Sequence, residues 1–183
     1  MSDVLVVENP REPDSMRLVA GSGGKLGKMA MSHSFMAQGA NKKNMTLNLA
    51  VPEGQAIFRS LAAQADIVVE NLVAGTMKRY GLGYEDLAKD RPDLIYCSIT
   101  GYGQSGPTYK RAAIDGAVQA ASGLMSMTGN QETGPMKVGF LMADYATGYA
   151  AALAMVSALF HRSRTDRKST RLNSSHITIS YAV

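Results

Sequence analysis

Two short apolar runs rich in β-branched residues, at residues 66–71 and 94–100, constrain the fold of this chain more than any other feature. Each has the length and composition of a buried strand. Between them, residues 75–80 and 83–89 have helical character and are separated by Gly81. A strand, a helical connection and a second strand form a parallel crossover. The sequence therefore predicts an α/β fold with a Rossmann-like parallel sheet and crossover helices.

The same patterns predict further elements on both sides of this unit. They are strands at residues 4–8, 45–49 and 138–142, a helix that opens at Pro52, and helices over residues 114–127 and 145–161. Asp144 directly precedes the last of these helices, which is the position of an N-cap worth about 1 kcal/mol. No linker interrupts residues 1–167, and we expect them to form one domain.

Composition excludes several classes of function. The chain has 183 residues, of which 45% are hydrophobic and 19% charged, as in an ordinary globular protein. Its formal charge of +4 depends on the basic residues of segment 162–171, so we expect no nucleic-acid partner. No apolar run has the length of a membrane helix, and the N-terminus lacks the pattern of a signal peptide, so we expect a cytoplasmic protein without a membrane partner. The single cysteine, Cys97, forms no metal-binding cluster, and we expect a buried thiol and no metal site.

Residues 168–183 change abruptly to a composition of Ser, Thr and Asn. The segment resembles translated cloning sequence, and we expect a non-native or disordered tail.

The stretch IYCSITGYGQSGP, residues 95–107, ends in Gly101-x-Gly103-x-x-Gly106, which has the spacing of a dinucleotide-binding fingerprint. Pro107 follows at once, and no later strand ends in an acidic residue at the required distance. The context therefore disfavours an NAD-binding oxidoreductase. The alternative is a wide turn in which the glycines adopt positive φ, with Tyr102 as one wall of a ligand slot.

Two longer blocks carry a specific resemblance: ADIVVENLVAGTMKRYGLGYEDLAKDRPDLIYCSITGYGQSGP and GPMKVGFLMADYATGYAAAL. In order and spacing they resemble the family III CoA-transferases, the group that includes formyl-CoA and carnitine CoA-transferases. The resemblance covers most of residues 2–164. It implies that the glycine loop shapes an acyl-CoA site, that coenzyme A is a substrate, and that no cofactor is tightly bound.

The resemblance implies that Asp144 is the catalytic residue. In this family an aspartate attacks an acyl-CoA thioester and carries first the acyl group, as an anhydride, and then CoA, as an aspartyl thioester. A carboxylate is ionised at neutral pH, and the anhydride that it forms is reactive enough to be displaced. Helix capping and nucleophilic attack are compatible roles for Asp144.

Other residues match family positions that line the CoA site: Asn71, Arg79, Gly101, Tyr102, and Lys42 or Lys43. Basic side chains suit a phosphate-rich ligand. The alternative for each lysine is a solvated surface charge.

Related racemases pair the aspartate with a histidine at the position of Ile114, which precedes Asp115, so proton-transfer chemistry is disfavoured. The family's first strand and C-terminal half have no counterpart here, and we expect a central fragment of a protein that forms interlocked homodimers. The partners would be an acyl-CoA and a carboxylic acid. The remaining alternative is a non-catalytic CoA-binding or structural fragment.

Overall fold

The computed structural model describes residues 2–17 and 32–165 and divides the chain into two compact units, Met1–Phe58 and Arg59–Val183. Within the described residues, each unit contains one two-stranded parallel sheet together with helices. The strands are β1 (Leu5–Glu8), β2 (Lys43–Thr46), β3 (Ile67–Glu70) and β4 (Ile95–Ser98). The helices are α1 (His33–Gly39), α2 (Pro52–Ala62), α3 (Thr76–Arg79), α4 (Tyr84–Leu87), α5 (Asp115–Ala121), α6 (Leu124–Thr128) and α7 (Met142–Thr165). The predicted α/β fold with parallel strands and crossover helices is confirmed.

In the first unit, β1 pairs with β2 in parallel, with Glu8 opposite Thr46. The Glu8 side chain is buried and accepts hydrogen bonds from Arg17, at 2.9 and 2.7 Å, and from the Asn44 side chain. Arg17 ends a short 3-10 helix, Ser15–Arg17, so this carboxylate ties the segment after β1 to both strands.

In the second unit, β3 pairs with β4 in parallel, with Glu70 opposite Ser98. The crossover between them consists of α3 and α4, which are separated at Gly81 because that residue has a φ of 67°. The fully buried side chains Leu82, Leu87, Leu94 and Ile95 come from this crossover and from β4. The crossover and β4 therefore contribute the largest fully buried aliphatic side chains among the described residues of this unit.

Three predictions about the later elements are wrong. The helix expected over residues 114–127 is divided into α5 and α6, because Gly123 adopts a φ of 77°. The strand expected over residues 138–142 is an irregular segment, and α7 begins at Met142. Asp144 consequently lies inside the first turn of α7 rather than at its N-cap.

Helix α7 packs against β4 and α5. Near its C-terminal end, Arg162 donates to the Asp93 carbonyl at 2.9 Å and to the Asp66 carboxylate at 2.7 Å. Asp66 and Asp93 precede β3 and β4, so this end of α7 lies at the amino ends of the strands. The helix therefore runs antiparallel to the strands, and its N-terminal turn with Asp144 lies towards their carboxyl ends.

Among residues 2–17 and 32–165, no helix is both long and apolar enough to span a bilayer. The predicted tail, 168–183, lies outside the described residues.

Candidate active site

The loop after β4 is packed closely against the start of α5. A Cβ atom added to Gly101 would lie 2.1 Å from the Ala113 Cβ and 3.5 Å from Val118 Cγ2. Gly103 and Gly106 have φ values of 82° and 99°. The glycines therefore allow a close approach and a positive-φ turn, as the turn interpretation of the sequence predicts.

The start of α5 is connected in turn to the start of α7. Asp115 is only 3% exposed, and its Oδ1 accepts hydrogen bonds from the Ala143 N–H at 2.8 Å and the Asp144 N–H at 3.4 Å. The first N–H groups of a helix have no partner within it. Asp115, which belongs to α5, accepts hydrogen bonds from two of these N–H groups. This explains why α7 begins before Asp144.

Gln119 extends this connection from the next turn of α5. It is 0% exposed, and its Nε2 donates to Asp115 Oδ2 at 2.6 Å and to the Phe140 carbonyl at 3.3 Å. Its Oε1 accepts from the Val138 N–H at 2.9 Å. Backbone groups of residues 138–140 are therefore bonded to a side chain instead of to a neighbouring strand, and the strand predicted there does not form.

Asp144 itself presents an exposed carboxylate at the end of this connection. Within residues 2–17 and 32–165, no hydrogen-bond donor or cation engages that carboxylate. Partial burial raises the pKa of Asp144, and the negative charge of Asp115 raises it further. The helix dipole of α7 favours the ionised form and opposes both effects. The group is an accessible carboxylate that is more basic than an ordinary aspartate.

Two of the predicted CoA-site residues follow adjacent strands. Asn71 comes directly after β3 and is exposed, and Tyr102 follows β4 and is half-buried. Because β3 and β4 are parallel, both residues lie at the carboxyl edge of the sheet, as does Gly101. Gly101 and Asp144 are linked through α5, so the structure brings these predicted residues to one end of the second unit.

The other predicted residues are basic and exposed. Arg79 ends α3, with its guanidinium 5.4 Å from the centre of the Tyr80 ring. Lys42 and Lys43 belong to the first unit, where they line a surface depression with Ser2, Asp3 and Asn41. Lys43 forms an exposed ion pair with Asp3 at 2.8 Å.

A polar chain at the carboxyl ends of β3 and β4 is absent from the sequence prediction. Ser98 donates to Glu70 and accepts from the Gln104 side chain at 2.6 Å. Burial raises the pKa of Glu70. The available signal was the position of Glu70 and Ser98 as the last residues of two parallel strands. For Asp115 and Gln119 the signal was their i, i+4 spacing on a predicted helix.

The sequence and the fold both match known proteins. The model of the family described as CoA-transferase family III matches residues 2–176. The chain is 42% identical over 166 residues to succinyl-CoA:glutarate CoA-transferase of Mus musculus, covering 91% of this chain and 37% of that protein. It is 40% identical over 169 residues to succinate–glutarate CoA-transferase of Agrobacterium fabrum, covering 90% of this chain and 42% of that protein.

Among solved structures, a CAIB/BAIF family protein from Brucella suis superposes with a TM-score of 0.83 and 35% identity. The superposition covers 97% of this chain and 47% of that chain. The chain thus spans less than half the length of the relatives that it matches. Because the family model matches most of its length and the blocks around β3, β4 and Asp144 lie within the match, the chain belongs to CoA-transferase family III.

Proposed function

We propose that this chain carries the nucleophile of an acyl-CoA:carboxylate CoA-transferase, and that the nucleophile is Asp144. The observation that carries the proposal is the exposed carboxylate of Asp144 in the first turn of α7, whose pKa is raised. The backbone N–H of the same residue is hydrogen-bonded to buried Asp115. A nucleophile must be both accessible and fixed in direction. Asp144 meets both conditions.

In the proposed reaction, a carboxylate oxygen of Asp144 attacks the thioester carbonyl of an acyl-CoA and expels the CoA thiolate, which leaves a mixed anhydride. The thiolate then attacks the Asp144 carbonyl of the anhydride and releases the first carboxylic acid as its anion. The product is an aspartyl-CoA thioester. A second carboxylate attacks this thioester, and the thiolate that is released attacks the acyl carbonyl of the new anhydride. A new acyl-CoA leaves and the Asp144 carboxylate is restored, so no oxidant or reductant is required.

The names of the relatives favour dicarboxylic substrates, with succinyl-CoA as donor and glutarate as acceptor. We propose that Asn71, Arg79, Gly101 and Tyr102 contribute to binding of the CoA moiety. Lys42 and Lys43 are proposed to contribute positive charge for its phosphates. The complete protein is proposed to act as a homodimer. Ile114, at the position of the racemase histidine, is 76% exposed and has no group that can accept a proton.

The test uses this chain and any longer protein that contains it, incubated with succinyl-CoA and glutarate. We expect glutaryl-CoA to form and a CoA adduct to appear on the peptide KVGFLMADYATG, with loss of the adduct on treatment with hydroxylamine. Asp144→Asn keeps the shape of the side chain and removes the nucleophile, so exchange should fall by at least about 1,000-fold. Mass spectrometry locates the adduct, and chromatography of CoA esters measures exchange.

Asp90→Asn is the matched control, because Asp90 is an exposed aspartate whose ion pair is with Arg59. It should exchange CoA at the parent rate. Parent-like exchange by Asp144→Asn would overturn the assignment of the nucleophile. Binding of succinyl-CoA without exchange or adduct would support the second candidate, a CoA-binding module without catalysis.

A further inference from the structure

Asp115 and Gln119 form a buried polar pair whose partners all belong to the segment that leads into α7. Both side chains are almost inaccessible to solvent. Burying a carboxylate and an amide costs free energy unless their polar atoms are paired. Here the pairing is made with backbone groups of residues 138–144, so the pair holds this segment against α5.

The order of the hydrogen bonds gives each residue a separate task. Asp115 Oδ1 accepts from the N–H groups of Ala143 and Asp144, whereas its Oδ2 accepts from Gln119 at 2.6 Å. The opposite side of the Gln119 amide, Oε1, accepts from Val138 at 2.9 Å. Gln119 therefore orients the Asp115 carboxylate and also anchors the segment six residues before Asp144.

We propose that Gln119 is a positioning residue for Asp144 that acts through Asp115. The Asp115–Gln119 pair sets the direction in which the Asp144 side chain projects from the first turn of α7. The inference rests on the proposed function for its catalytic part. Neither side chain needs to contact the substrate. Displacing a reacting group by about 1 Å can cost about 100-fold in rate, so loss of the pair is expected to lower kcat and leave KM for acyl-CoA nearly unchanged.

The carboxylate at position 115 and the amide at position 119 can be swapped with little change in the shape of either side chain. In the double variant Asp115→Asn, Gln119→Glu, the new amide at 115 can still accept from Ala143 through its oxygen and donate to the carboxylate at 119. That carboxylate can still accept from Val138. The donation to the Phe140 carbonyl at 3.3 Å is replaced by a contact between two acceptor oxygens, so we expect the recovery to be partial. Each single substitution instead places two like groups against each other. Asp115→Asn opposes two amide donors, and Gln119→Glu opposes two carboxylates.

The experiment compares the parent, both single variants and the double variant at mildly alkaline pH, where adjacent carboxyls do not share a proton. Amide hydrogen exchange of the peptide that spans residues 138–144 reports whether the segment is held. Steady-state CoA transfer from succinyl-CoA to glutarate reports whether Asp144 is positioned. Gln131→Glu, in an exposed turn, is the matched control and should leave both quantities unchanged.

In each single variant, amide hydrogen exchange of residues 138–144 should be at least tenfold faster, and kcat should fall by about 100-fold. The double variant should recover protection of the segment and at least tenfold of the lost kcat, because the hydrogen bonds are restored. Unchanged amide hydrogen exchange in both single variants would overturn the inference. Faster amide hydrogen exchange with a normal kcat would also overturn it. So would single-variant losses that the reversed pair does not recover.

Failure of the proposed function has a different signature. If neither this chain nor a longer protein that contains it transfers CoA, the assignment of Asp144 as nucleophile fails, and amide hydrogen exchange decides the structural part of the inference on its own. Restored protection in the double variant then supports the role of the pair in holding the first turn of α7. Absence of restored protection overturns it.

Discussion

The glycine loop shows how one absent Cβ atom can determine the packing of two segments. Gly101 lies against Ala113, whose Cβ would be only 2.1 Å from a Cβ at position 101. Real Cβ contacts are far longer, so any larger residue at 101 must displace the loop or the start of α5. Because α5 also carries Asp115, such a displacement would extend to the first turn of α7.

Gly101→Ala is therefore expected to lower the free energy of unfolding by about 1–3 kcal/mol, the usual cost of overpacking. Adding Ala113→Gly should recover most of that loss, because it removes the atom that clashes. Urea unfolding followed by circular dichroism measures both changes.

Gly148→Ala is the matched control within α7, where an added Cβ meets no atom within 4 Å. It should raise stability by about 0.5–1 kcal/mol, since alanine is the better helix former. Equal losses at Gly101 and Gly148 would show that the close contact with Ala113 does not limit position 101.

Helix α7 is held at both ends by hydrogen bonds that involve side chains. Asp115 binds its first turn, and Arg162 binds the segments that precede β3 and β4. Arg91 joins the second anchor, because it also contacts the carboxylates of Asp66 and Asp93. The two arginines hold the pKa of Asp93 below its usual value, and the hydrogen bond from Arg91 has the larger effect.

Arg162→Met should lower the free energy of unfolding by about 1–2 kcal/mol. The Arg162 side chain is 19% exposed and donates two short hydrogen bonds, whereas its partner Asp66 is largely solvated, which limits the loss. Urea unfolding measures the change.

Arg164→Met is the control two residues later, on an exposed side chain whose guanidinium lies 5.4 Å from the Phe160 ring centre. We expect a change within about 0.5 kcal/mol. If both variants lose the same amount, the anchor at the amino ends of the strands contributes nothing specific.

At the scale of the whole molecule, we expect the stabilities of the two compact units to depend differently on pH. The first unit is organised around Glu8, and the hydrogen bonds from Arg17 hold the pKa of that carboxyl at about 2 instead of 4.5. In the second unit, burial raises the pKa values of Glu70 and Asp144. A lowered carboxyl pKa stabilises the folded state above the unfolded pKa, whereas a raised one destabilises it there.

Stability of the first unit should therefore fall as the pH drops from about 4.5 to 2, because protonation of Glu8 removes its preference for the folded state. Glu8→Gln should lower the urea midpoint of that unit at neutral pH and flatten its dependence on acid. Hydrogen exchange of peptides from β1 and β2 distinguishes this unit from the other. A Glu8→Gln protein with the parent's acid dependence would rule out Glu8 as its source.

Local pattern determined much of this protein. The β-branched runs became β3 and β4, Gly81 divided the crossover, and the glycines after β4 formed a positive-φ turn. The same local blocks indicated the family, which the comparisons confirm. Such features are predictable because strand periodicity and turn conformation depend on residues that are close in sequence.

Tertiary structure decided where α7 begins and how Asp144 is held. The hydrogen bonds from Ala143 and Asp144 to Asp115 span 28 and 29 residues, and the bond from Val138 to Gln119 spans 19. No local pattern in residues 138–142 distinguishes a strand from a segment whose backbone is bonded to a distant side chain. Sequence alone therefore predicted Asp144 as a site residue, whereas the two buried residues that hold its backbone became evident only when α5 and α7 were packed together.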